Sequence, residues 1–218
     1  MRKHLIAGIV GAALVLAGVA CGDTAETKAN DRAATTVSVT GAASQLLVTL
    51  DAGLKEHVYL AALATENALG GRKAGFEAAA AALDENSVAL SKAIGSVFGG
   101  DAEKAFLPLW RSHIGFVVEY TSNFGDKAKQ DKAVSDLLGY TETFGAFLSG
   151  AMPAIPKTAA AELVKTHILT LKDVIDAQQA KDFAKADTMM REAAHHMGMI
   201  SSALADAIVK QFPAKFSA

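Results

Sequence analysis

Three short strings, LKEHV at residues 54–58, LWRSHI at 109–114 and LVKTHI at 163–168, decide the reading of this chain. Each sets a single histidine into an apolar stretch with helical spacing. His57, His113 and His167 are 56 and 54 residues apart, a tandem spacing that predicts three helix hairpins of similar length. Around them the chain is rich in Ala, Leu, Lys and Glu, and apolar residues recur every three or four positions. The punctuation between these runs is regular: Gly70-Gly71, Gly99-Gly100, the polar turn GDKAKQD at 125–131, MPAIP at 152–156 and Lys181-Asp182. The expected fold is all-α, a bundle of about six helices at roughly 42–69, 72–98, 102–123, 129–150, 157–179 and 183–211. Pro213 should close the last helix, and Pro108 should kink the third or mark a late start.

A second regularity concerns polar residues. Adding 29 to each repeat histidine reaches Asn86, Glu142 and His196, one on the second helix of each hairpin. The midpoints of the three pairs, 71.5, 127.5 and 181.5, fall on or beside the turns. In an antiparallel hairpin, residues equidistant from the turn lie at one height, here on the order of 20 Å from it. The sequence therefore predicts a layer of six side chains: His57, Asn86, His113, Glu142, His167 and His196. Their neighbours three and four residues away are nearly all apolar or small, as Leu109, Trp110, Phe116 and Val117 are around His113, which points the layer at the core. His195, beside Arg191 and Glu192, should sit nearer the rim.

Buried imidazoles and a carboxylate demand partners. A transition-metal site satisfies them, with His113, Glu142, His167 and His196 as ligands and His57 and Asn86 completing or flanking the set. A hydrogen-bonded network that only fixes helix register satisfies them too. Nitrogen and oxygen donors suit zinc, iron, manganese or cupric ion, whereas Met189, Met190, Met197 and Met199 in MMREAAHHMGM offer thioethers that favour cuprous ion, or else plain core filling. Glu192 is a further ligand or outer acceptor candidate. A ferritin-like di-iron centre needs two Glu-x-x-His motifs, and only Glu192-x-x-His195 is present. The lack of C-x-x-C-H excludes covalent haem, and non-covalent haem ranks behind an ion. No catalytic arrangement identifies a substrate.

At the N-terminus, MRKHLIAGIVGAALVLAGVAC has the layout of a secretory signal: Arg2 and Lys3, an uncharged run from Leu5 to Ala20, and small residues before Cys21. Residues 1–21 resemble the leader of bacterial lipoproteins, whose lipobox cysteine is diacylated, although Gly18 stands where that motif usually has Leu. The resemblance implies a lipid-anchored protein on the extracytoplasmic side of the cell membrane. Cys21 is the chain's one cysteine, which excludes disulfides and thiolate metal sites downstream. Residues 22–41, polar and without aromatics, read as a tether, and 42–218 as the helical-bundle domain. A net charge of −2 without a basic cluster gives no footprint for nucleic acid.

The LWRSH string at 109–113 and the ending ALADAIVKQFPAKF at 203–216 resemble a group of bacterial exported or membrane-associated helical proteins with LW-x-x-H and QFP-x-x-F-like motifs. That resemblance implies a helical fold over roughly residues 45–216 and no particular activity. Two functional classes follow: an exported metal-binding protein, for copper sensing, storage or delivery, or a structural or interaction module of the cell envelope.

Overall fold

Glycine and short polar breaks end the helices where the sequence places them. In the computed structural model, which describes residues 41–216, six long helices and one short one follow in order: α1 Ala42–Leu69, α2 Lys73–Phe98, α3 Gly100–Ser122, α4 Lys127–Ala151, α5 Lys157–Gln179, α6 Phe183–Gln211 and α7 Pro213–Phe216. No strand occurs among the described residues. Gly71 and Gly99 turn the chain with positive φ of 66° and 94°, a region that costs residues with a Cβ. Asp126 and Asp182 cap α4 and α6 by accepting the backbone N–H of Lys129 and Lys185.

The late start considered at Pro108 is not seen: α3 begins at Gly100 and continues through the proline. Pro213 does end α6, but it also opens the short α7, where a missing N–H at the first helical position costs nothing.

Each long helix packs on its neighbours in the chain, and α6 returns to α1, so the six form a closed ring. Within it α1 also meets α3 and α5. The packing of α2 on α3 and of α4 on α5 is comparable to that of α1 on α2, α3 on α4 and α5 on α6. One core cluster runs from Leu50 and Leu54 through Trp110, Phe144 and Val164 to Ile208. A smaller one gathers Ala61, Leu83, Tyr120, Leu171 and Ile175. The histidine strings lie at the level where α1, α3 and α5 converge. No helix among the described residues is long and apolar enough to cross a membrane. The signal segment, Cys21 and all but the last residue of the tether lie outside the described residues.

Candidate metal centre

His57, His113 and His167 each lie on the buried stripe of their helix, with Leu54 and Val58, Trp110, and Val164 and Ile168 as flanking core residues. They are 1%, 3% and 6% exposed. Because α1, α3 and α5 run in the same direction and meet at this level, the three rings converge. Their potential ligand atoms lie within 4.8 Å of one another. The Nε2 atoms of His57 and His113 are 3.3 Å apart. Two nitrogens bound to one tetrahedral ion at normal metal–nitrogen lengths are separated by about 3.3 Å, so this pair already has a ligand edge. A separation of 4.8 Å must close by about 1.5 Å, within reach of side-chain rotations.

Burial controls their charge. The His57 imidazole is pushed well below its usual pKa by desolvation first, then by His113 and His167. Desolvation and His167 bring His113 down to about 3, and desolvation and His196 bring His167 to about 4. All three are neutral at neutral pH, the form that ligates metals.

The surrounding polar atoms are short of partners. Nδ1 of His57, His113 and His167, Nε1 of Trp110 and Oη of Tyr140 are buried with no hydrogen-bond partner. Trp110 packs 4.8 Å from both the His57 and His113 rings, and Tyr140 packs 4.9 Å from His113. Burial raises the Tyr140 hydroxyl well above its usual pKa, so it stays protonated. Unpaired buried groups cost about 1–3 kcal/mol each, so this cluster is expensive as a packing device alone. A cavity of about 50 Å³ borders His113 and His167, with Met197 and Tyr140 also in its wall.

The second helices contribute differently from expectation. Asn86 is buried, but its Nδ2 donates to Gly53 O at 3.0 Å and to Glu56 Oε2 at 2.7 Å. His196 is buried, and its Nε2–H donates to Leu163 O at 2.8 Å. Gly53 and Leu163 are each four residues before a layer histidine, so Asn86 and His196 dock on equivalent backbone carbonyls of α1 and α5. Both belong to the layer, but neither joins the triad. Glu142 is the correction. Its side chain is 66% exposed and pairs with Lys157 Nζ at 3.0 Å. The position equivalent to the carbonyls of Gly53 and Leu163 is Leu109 on α3, and an ionised carboxylate has no proton to donate to a carbonyl. The face of α4 is set by Leu137, Tyr140, Phe144 and Leu148 instead, and Tyr140 supplies the side chain at His113.

The methionines divide. Met197 is buried, Met189 and Met190 are partly buried against the core, and Met199 is 50% exposed. His195 is exposed as expected, and so is Glu192, which removes it as a ligand. Sequence reasoning placed Trp110 beside His113 but missed Tyr140 as a neighbour of the site. The signal for Tyr140 was its place on the Leu137–Leu148 stripe. No protein-family model, curated protein or solved structure matches this chain, so its chemistry is read from its own geometry.

Proposed function

We propose that this protein is an exported, lipid-anchored metal-binding protein whose site is His57, His113 and His167, and that the ion is copper in its cuprous form. The observation that carries the reading is the convergence of three buried, neutral imidazoles with no carboxylate among them. Imidazole suits zinc, copper, iron and nickel alike, so the donors alone do not choose. Charge does. With Glu142 at the surface, an ion in this layer has no anionic ligand, and the burial of a single positive charge costs less than that of two. The thioether of Met197, in the wall of the cavity beside His113 and His167, adds a soft group that favours the same ion.

Nδ1 of His57 and His167 reaches no carbonyl or carboxylate, and the one such group acting on the His113 ring is the backbone carbonyl of Trp110. Such outer contacts typically raise metal affinity by about 10–100-fold. Their scarcity fits a site that takes up and releases its ion, as in sensing, storage or delivery, better than a permanent structural centre. Within this reading the residues have separate tasks. The imidazoles bind, Trp110 and Phe144 keep water out on one side, and Asn86 and His196 hold α2 and α6 in register with α1 and α5.

Metal analysis of the full chain, loaded with cuprous ion under reducing conditions and then dialysed, tests the proposal. About one copper per chain is expected. It should be lost in His57→Ala and His113→Ala and kept in His196→Ala and Glu142→Ala. A folded wild type that keeps no copper, or histidine variants that keep as much as wild type, would sink the reading and leave the layer as a hydrogen-bonded register device.

A further inference from the structure

His57 and His113 are also reached from outside the bundle. A cavity of about 270 Å³ runs between α1 and α3 from the α1–α2 turn down to these two rings. On α1 its wall is a run of small side chains at helical spacing from His57: Ala61, Ala64 and Ala68. On α3 it is Ile114 and Val117, with Leu83 and Leu171 behind. The mouth is bordered by exposed Lys73, Val118 and Ser122.

The polar groups along the shaft are already engaged. Thr65 Oγ1 donates to Ala62 O at 3.0 Å and to Gln178 Oε1 at 2.8 Å. Asn67 Nδ2 donates to Leu63 O, and its Oδ1 accepts from Arg72 Nε. Thr121 Oγ1 donates to Val117 O. The floor differs: the rings of His57 and His113 close the inner end of the cavity, and the buried Nδ1 of His57 has no partner. The cavity therefore offers apolar walls and one polar floor.

We propose that this cavity binds a small, uncharged, ring-containing organic molecule with one hydrogen-bonding head group, seated with that head on His57 and His113. Size follows from volume. A cavity of about 150 Å³ holds benzene, so 270 Å³ accommodates roughly two fused rings. The lack of charge follows from the lining, in which Lys73 at the mouth is the one residue with a permanent charge; a charged head at the floor would be buried without a counter-ion. The single head follows from the shaft, where a second polar group would displace water and find no free partner. The proposal shares two histidines with the copper site but needs no ion, because a neutral imidazole both donates and accepts.

The test uses the full chain stripped of metal by chelation, so that failure of the copper reading leaves it intact. Binding of β-naphthol is followed by its fluorescence, and naphthalene serves as the same ring system without the head. Saturable binding at one site is expected, with β-naphthol about fivefold tighter than naphthalene. Ala64→Phe, which fills the shaft, should weaken β-naphthol about tenfold or more. Val118→Trp, at the exposed mouth, gives the same readout should Ala64→Phe fail to fold. No saturable binding to the wild type, equal affinity for the two probes, or unchanged affinity in the folded plugged variants would each overturn the proposal.

Discussion

An imidazole in water holds its proton up to about pH 6.5, whereas folded His113 and His167 take one up only near about 3 and about 4. Between those values the unfolded chain binds more protons than the native one. Stability is therefore full above pH 6.5 and is lost as the pH falls toward 4, by up to about 1.4 kcal/mol per pH unit for each such histidine. His57, lowered in the same direction, adds to the slope. Chemical denaturation of the metal-free protein from pH 7.5 to 4.5 checks this; a stability independent of pH over that range would contradict the neutral triad. The same depression has a second consequence. Protons compete little with metal for imidazoles that are already neutral, so copper retention should persist to about pH 5, well below the range where exposed histidine clusters release it. Dialysis of the loaded protein at stepped pH reads this directly.

At the scale of helices, packing distance separates glycines that look alike in the sequence. A Cβ on Gly145 would meet the backbone N of Ala161 and the O of Lys157 at 3.0 Å, because α4 and α5 approach closely there. A Cβ on Gly139, on the same helix, would meet nothing within 4 Å. Gly139→Ala should therefore raise stability by up to about 1 kcal/mol through helix propensity, while Gly145→Ala should lower it by about 1 kcal/mol as the clash outweighs the same gain. Thermal unfolding of both variants distinguishes the cases, and equal shifts would contradict the α4–α5 contact. The helices themselves were legible in the sequence because long periodic runs and glycine breaks agree, and so was the meeting of His57, His113 and His167, whose tandem spacing puts them at one level. Direction around a helix was harder. Glu142 has the right height, but its neighbours Leu138, Gly139 and Ala146 are exposed, and only Gly145 among them is buried. Small residues mark close approach or open surface equally well, whereas the bulky stripe Leu137, Tyr140, Phe144 and Leu148 fixes the face. The cavity left a fainter trace, the alanines at 61, 64 and 68, which also read as ordinary helix formers. The short α7 hid behind Pro213, which reads as a stop and serves also as a start.

The whole molecule places its triad through the ring closure. Because α6 returns to α1 and α1 also touches α3 and α5, one histidine from each of three helices reaches a common point, and the remaining helices brace them. Asn86 and His196 do so on equivalent carbonyls, which leaves α4 to contribute an aromatic wall. The proposed anchoring acts at this scale as well. With Cys21 the chain's one thiol, Cys21→Ser should abolish palmitate labelling and release the protein from the membrane fraction; labelling that survives would contradict the lipid anchor. Whether the three buried histidines hold copper is read by X-ray absorption at the copper edge of the loaded full chain. About three imidazole nitrogens at about 2.0 Å are expected, with Met197 sulfur at most a weak further scatterer. A first shell dominated by oxygen, or one unchanged in His113→Ala, would contradict it.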